Sequence, residues 1–394
     1  MSTAPLRIAM IGQKGVPATF GGIERHVEEV GARLAVLGHE VHVYCRPNYA
    51  SVEAGVYRGM RLHSLSTVNS KHLDAITHSM FATMAAMRQR PDIVHYHALG
   101  PGLVAPLPRL FSSARVVLTV HGLDQQRAKW GRSARTVLET AHWMSGRVPD
   151  ATVVVSKALV RHYAERFDRR AVYVANGVNP PTPRPAEEIV KRYGLTPGSY
   201  VLFVGRLVPE KAPDLLIRAY RRVSGHHRLV VVGGSSFTDD YVTGLHELAR
   251  ADPRVILTGY VYGDLLAELY TNAAAFVLPS NVEGLPLTLL EAIGYGLPVI
   301  ASDIDPHREI CGRDGPGHRM FSAGDEDSLE LALRLSLRTG ERERVGADEL
   351  RRHVVPEYRW EAAASRLEEL YLNLTTRGWA TGRQGIPTSD HQVG

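Results

Sequence analysis

The sequence predicts an α/β protein made of two doubly wound domains in tandem. Three observations carry this reading. Short apolar runs alternate with helically spaced segments, a proline-rich stretch breaks the alternation near the middle, and the notable motifs all fall where a strand ends. At 394 residues the chain has room for two domains of ordinary size.

The first strand is Arg7-Ile8-Ala9-Met10-Ile11, an apolar run stopped by Gly12, as buried parallel strands often are. From Ile23 the apolar residues Val27, Val30, Leu34 and Leu37 recur at helical spacing until Gly38 ends the helix. Further strands follow at 41–45, 93–96, 116–120, 152–155 and 172–174. Four of the six residues 180–185 are proline, which makes a stiff connector and the natural domain boundary. Beyond it the grammar restarts, with strands at 201–204, 229–232, 255–257, 275–278 and 299–301. Residues 362–374 read as a last amphipathic helix carrying Leu367, Leu370 and Tyr371, and the polar segment after Thr376 as a mobile tail. Open parallel sheets bind ligands beyond the carboxyl ends of their strands, so two such domains face to face make a deep cleft.

The bulk numbers exclude several classes. A net charge of +5 is mild and suits small polyanionic ligands or an anionic membrane surface. No Lys/Arg-rich run has interleaved aromatics, which argues against nucleic acid as the main partner. Cys45 and Cys311 are the only cysteines, far apart, so a disulfide framework or a cysteine zinc site is not expected and a reducing cytoplasm is the natural compartment. No apolar run approaches the roughly 18 residues needed to span a bilayer.

The most informative stretch is Glu283-Gly284-Leu285-Pro286-Leu287-Thr288-Leu289-Leu290-Glu291, with two carboxylates eight positions apart. Pro286 suits the first position of a helix, which leaves the backbone N–H groups around Leu287 and Thr288 free at a positive helix end suited to phosphate. One acid before the helix and one inside it can grip hydroxyls on either side of that phosphate. Upstream, Gly205-Arg206-Leu207-Val208-Pro209-Glu210-Lys211 follows a strand, and its two cations can neutralise a diphosphate. It is not a Walker A loop, since the second glycine and the Ser/Thr are missing. Gly12-Gln13-Lys14-Gly15 and Phe20-Gly21-Gly22-Ile23-Glu24-Arg25 let backbone approach a ligand at a helix start. Neither completes a dinucleotide fingerprint, which disfavours a nicotinamide enzyme. Val120-His121-Gly122-Leu123-Asp124 ends another strand and offers an imidazole to a hydroxyl or a developing positive charge. His95 and His97 share one strand face, but two histidines without a third ligand are a poor metal site.

With these residues in hand, the chain resembles the retaining glycosyltransferases of family 4. The matching pieces are Phe20-Gly21-Gly22-Ile23-Glu24, Val120-His121-Gly122, Val155-Ser156-Lys157, Ala175-Asn176-Gly177-Val178, Gly205-Arg206-Leu207 with Lys211, Gly259-Tyr260-Val261, and the Glu283…Glu291 pair. The resemblance implies the GT-B fold, two Rossmann-like doubly wound domains facing across a cleft. Residues 1–178 would bind the acceptor and 179–360 the nucleotide sugar. Residues 361–376 would cross back to the first domain, and 377–394 would form a flexible tail.

It also implies roles. Arg206 and Lys211 would hold the donor diphosphate as it leaves, Glu291 the ribose hydroxyls and Glu283 the donor sugar, with His121 beside the reacting face. Gly21 and Gly22 would form the diphosphate loop, and Tyr260 and Val261 would line the base slot. Gly284, Leu285, Leu287 and Thr288 would complete the donor site. No metal or other cofactor is implied beyond the nucleotide-diphosphate sugar as co-substrate. Leu285 and Pro286 depart from the aromatic residue and glycine common in relatives, which implies a differently shaped sugar pocket. Asp303-Ile304-Asp305 has the form in which single-domain glycosyltransferases hold a metal–nucleotide complex. The two-domain architecture makes a structural or cleft-lining Asp303 the expectation instead.

The function implied is retaining transfer of a hexosyl unit to a saccharide or lipid-linked saccharide acceptor in surface-polysaccharide or glycoconjugate assembly. Tailoring of a small natural product is the alternative within the class, and a non-catalytic sugar-nucleotide-binding protein the alternative outside it. The basic residues Arg127, Lys129, Arg132 and Arg135, with Trp130, read either as a solvated charged helix or as a surface for peripheral contact with the inner face of a membrane.

Overall fold

The computed structural model describes residues 4–19, 21–47, 49, 55–67, 74–123, 132–235 and 238–376. The first half comprises β1 (Arg7–Ile11), α1 (Gly22–Val36), β2 (Glu40–Cys45), β3 (Gly55–Tyr57), β4 (Met60–Ser64), α2 (Asp74–Arg88) and β5 (Ile93–His97). It continues with α3 (Pro106–Phe111), β6 (Arg115–Val120), α4 (Arg132–Ser145), β7 (Ala151–Val154), α5 (Lys157–Phe167) and β8 (Val172–Tyr173). These strands form one sheet in the order β3-β4-β2-β1-β5-β6-β7-β8, parallel except for the β3–β4 hairpin.

The second half contains α6 (Glu188–Tyr193), β9 (Tyr200–Val204), α7 (Pro213–Arg221), β10 (Arg228–Val232), α8 (Asp239–Arg250), β11 (Val255–Gly259) and α9 (Gly263–Asn272). Then come β12 (Ala275–Leu278), α10 (Leu287–Gly294), β13 (Val299–Ser302), α11 (Asp305–Cys311) and β14 (His318–Phe321). Three helices close the chain: α12 (Glu326–Arg338), α13 (Gly340–Val354) and α14 (Trp360–Thr376). The second sheet runs β11-β10-β9-β12-β13-β14, all parallel.

Each sheet reverses its winding at one place, between β1 and β5 in the first and between β9 and β12 in the second. At such a reversal the following loops part and leave a crevice at the carboxyl ends of the strands. Gly12 and the turn after His97 lie at one crevice, Arg206 and Glu283 at the other. The central strands are apolar on both faces because helices cover both; Ile8, Met10, Val201, Phe203 and Val230 are all fully buried.

Helix α14 completes the first domain. Its Trp360, Leu367, Tyr371 and Leu374 enter the same core as Ile8, Val27 and Val30. The Arg33–Glu361 ion pair at 2.8 Å and the His39–Glu368 hydrogen bond at 3.1 Å flank that seam, and Tyr371 Oη lies 2.6 Å from His95 Nδ1. Strands β3, β4 and β14 go beyond the runs found in the sequence. They are short and partly exposed strands at or next to a sheet edge, and β4 and β14 are interrupted by Arg and His, so they lack the continuous apolar signal of the buried ones. Among the described residues no helix is long and apolar enough to cross a membrane.

Candidate active site

The two crevices meet where the loop after β6 touches the loop after β12. Gly284 packs so tightly on the backbone of His121 that a Cβ there would overlap the His121 carbonyl, and only glycine permits the approach. This contact sets His121 directly beside Glu283. On the other flank, Gly22 at the start of α1 faces the Leu287 side chain at the start of α10.

Lys211 Nζ pairs with Glu283 Oε1, and both side chains are largely buried. Burial works against the charge on Glu283, but Lys211 and the neighbouring His307 outweigh it and hold the carboxyl below its usual range. His307 itself is pushed down to about 4 by burial, with Glu283 pulling the other way, so at neutral pH it is uncharged. Sequence reasoning gave Lys211 to the phosphate and Glu283 to the sugar as separate grips. The fold makes them one ionic unit. Arg206 stands at the mouth of the same loop, 3.9 Å from Glu210. Glu210 is turned inward, with both carboxylate oxygens buried and accepting no hydrogen bond. The Arg206 guanidinium supplies nearby charge compensation for it.

Pro286 is corrected by one position. It is the residue before the helix, with extended ψ of 112°, and Leu287 is the first helical residue. The free N–H groups therefore belong to Leu287, Thr288 and Leu289, since Leu290 N already donates to Pro286 O at 3.3 Å. Thr288 Oγ1 is buried without a hydrogen-bond partner at the same end. Glu291 lies one turn further, where Tyr270 Oη donates to its Oε2 at 3.1 Å. Burial raises the Glu291 carboxyl, opposed by the charge of Arg25 and the Tyr270 hydroxyl. Glu291 and Leu287 open into a recess shared by Arg25, Asn179, Tyr270 and Trp360. Arg206, Lys211, Glu283 and His121 are not among its lining residues.

Tyr260 and Val261 follow β11. The Tyr260 hydroxyl donates to Ser235 O at 2.8 Å, its ring covers Gly234 and stacks near Tyr262, and Val261 is buried beneath. Gly21 precedes α1 with φ of +105°. Asp303 is held by Arg308 at 3.0 Å and by the Ala323 N–H, and Asp305 pairs with Arg161 at 2.7 Å, so both carboxylates of that short motif have protein partners.

The histidines also rearrange the expectation. His95 is tied to Tyr371 and Thr119, each at 2.6 Å, while His97 lies with His26 and His121. Sequence reasoning passed over His26 as well as Arg25, Glu210 and His307. Arg25 closes the quoted glycine–acid motif and His26 directly follows it, and helical spacing from Gly22 to Arg25 was the available signal. Phe20, Asp124, Arg127, Lys129, Trp130 and residues 377–394 lie outside the described residues. Arg135 is exposed on α4.

Two facing Rossmann-like sheets with cations and acids gathered at the switch points define the GT-B class. Solved structures share this fold. Sucrose-phosphate synthase from Thermosynechococcus elongatus superposes with a TM-score of 0.79 at 22% identity, covering 94% of this chain and 99% of that one. Anabaena HepE in complex with UDP-glucose gives 0.76 at 15% identity, covering 94% and 100%. In sequence, the Glycosyltransferase Family 4 model matches residues 20–181 and the Glycosyl transferases group 1 model residues 198–338. The chain belongs to this family and is a glycosyltransferase. A relative over nearly its whole length is the GDP-mannose-dependent alpha-(1-6)-phosphatidylinositol monomannoside mannosyltransferase of Mycobacterium tuberculosis, 28% identical over 382 residues, 90% of this chain and 95% of that protein.

Proposed function

We propose that the chain is a retaining, metal-independent hexosyltransferase using a nucleotide-diphosphate sugar. Its acceptor is a saccharide or lipid-linked saccharide in surface-polysaccharide or glycoconjugate assembly. The observation that carries the reading is the Lys211–Glu283 pair, whose carboxylate directly precedes the Gly284 that packs on the His121 backbone and leads into the start of α10. The Leu287 and Thr288 N–H groups and Arg206 bind the diphosphate, and negative charge on the leaving phosphate is met as it develops. Glu291 holds the ribose hydroxyls. Glu283, fixed and ionised by Lys211, accepts hydrogen bonds from the sugar rather than attacking it. The anomeric C–O bond breaks toward an oxocarbenium-like state, the acceptor hydroxyl attacks the same face, and its proton passes to the departing phosphate.

A thermal-shift panel of UDP-, GDP-, ADP- and dTDP-sugars tests this, since a donor bound at a hundred times its Kd adds about 2.7 kcal/mol. GDP-mannose leads the panel because of the dependence named for the mycobacterial relative. One base should raise the melting temperature selectively; no shift with any donor contradicts the proposal. NMR of the product should then show the donor's anomeric configuration kept, and inversion refutes the mechanism. For a lipid-linked acceptor the enzyme docks peripherally. Exposed Val137 and Trp143 on α4, with Arg147 4.8 Å over the Trp143 ring, support this. Flotation with anionic but not neutral liposomes is expected, and failure to float rejects the docking.

A further inference from the structure

We infer that His26, His97 and His121 form a binding site for a zinc-class divalent cation at the edge of the cleft, and that occupancy draws His121 away from the donor sugar. The site itself is independent of the proposed function; only its effect on turnover rests on that reading.

Three elements converge on one point: His26 from α1, His97 at the end of β5 and His121 just after β6. Their ring centres stand 4.8 Å (His26–His121), 5.5 Å (His26–His97) and 5.6 Å (His97–His121) apart. Three imidazoles bound tetrahedrally to one metal at about 2.0–2.1 Å have ring centres roughly 5 Å apart. One ligating nitrogen from each ring already falls within 4.8 Å of the others, so modest ring rotations suffice to bring them together.

The state of His26 follows from its neighbour. The Asn176 amide N–H donates to Leu285 O at 3.2 Å, which turns its Oδ1 toward His26 Nδ1 at 2.9 Å. A carbonyl oxygen only accepts, so His26 carries its proton on Nδ1 and presents a lone pair on Nε2. That Nε2 is buried and has no partner. A ring nitrogen donating outward to a carbonyl while the other faces an open point is the arrangement metal-binding histidines use. His97 turns its Nδ1 toward His121 Nε2 at 3.3 Å, and its own Nε2 is buried and unpartnered. Two orphaned imidazole nitrogens in one interior cluster call for an ion or a water.

His95 is excluded because Tyr371 and Thr119 occupy both its nitrogens. Three imidazoles without a carboxylate suit zinc, cobalt, nickel or copper and not magnesium or calcium.

The test uses the full-length protein, freed of metal by chelator and titrated with Co²⁺ and then Zn²⁺. Expected are one equivalent of cobalt with the intense visible bands of a tetrahedral complex, displacement by one equivalent of zinc, and chelator-reversible loss of transferase activity. His26→Gln should weaken zinc binding at least about tenfold. Should His26→Gln or His97→Gln fail to fold by circular dichroism, the wild-type cobalt spectrum decides alone. Absence of tetrahedral cobalt bands, or unchanged zinc binding in a folded variant, overturns the site and leaves the orphaned nitrogens to water. Zinc bound without loss of turnover overturns the withdrawal of His121. Failure of the donor panel leaves the metal titration unaffected, so the two readings fail separately.

Discussion

Lys211 and Glu283 show how a single contact changes the reading of a site. A carboxylate this buried is tolerable only while its cation stays in place, and removing one partner of a buried pair costs about 3–5 kcal/mol. Lys211→Met should therefore lower stability by that order in chemical denaturation, and adding Glu283→Gln should restore most of it. A Lys211→Met variant as stable as the parent contradicts the buried pair. His307, facing Glu283, Lys211 and Ser302, sets a pH dependence. Its folded value near 4 lies below the unfolded value near 6.5, so its contribution is complete above about pH 6.5 and declines as the pH falls toward 4. His307→Asn should flatten the melting temperature against pH over that window, and an unchanged slope refutes the assignment. The separation of 72 residues between Lys211 and Glu283 explains why the pairing was not legible in sequence. Residue types at strand ends can be read there, whereas partners across the fold cannot.

At the scale of elements, the start of α10 and the seam of α14 bear the main constraints. Gly284→Ala forces the His121 loop and the Glu283 loop apart. A displacement of the order of 1 Å at a reacting centre costs about 10²-fold, so kcat/KM should fall by roughly that factor while the protein stays folded. Full activity in Gly284→Ala contradicts the close approach. Trp360 opens α14 fully buried, and Gly177 lies so near its backbone that a Cβ would overlap it. Trp360→Ala should cost about 3–5 kcal/mol by denaturation, against less than 1 kcal/mol if the helix were merely resting on the surface. Helices with strong periodicity, α1 and α14 among them, were legible because one face is apolar. The start of α10 was misplaced by one residue because proline is compatible with both the first helical position and the residue before it.

Over the whole molecule, parallel strands buried on both faces made the tandem architecture readable as continuous apolar runs, and strand ends marked the crevices. The half-exposed edge strands lacked that signal. What sequence patterns did not contain was how the domains bridge. Arg161 meets Asp305 at 2.7 Å, and Glu309 accepts from the Lys157 N–H at 2.7 Å and from the Tyr173 hydroxyl at 2.8 Å. These contacts hold α5 against α11 and bring the strand-end loops of the two domains to one place.

In the proposed reaction Arg206 acts on the donor's diphosphate from that place. Steady-state kinetics of Arg206→Lys, with its melting temperature measured alongside, tests it most directly. Lysine keeps a positive charge beside Glu210 but loses the planar two-pronged grip on phosphate. The expected result is a melting temperature within about 2 °C of the parent and a fall in kcat/KM of roughly tenfold or more, since one good charge-assisted hydrogen bond is worth about 1.5–3 kcal/mol. Unchanged kcat/KM in a well-folded Arg206→Lys would contradict it.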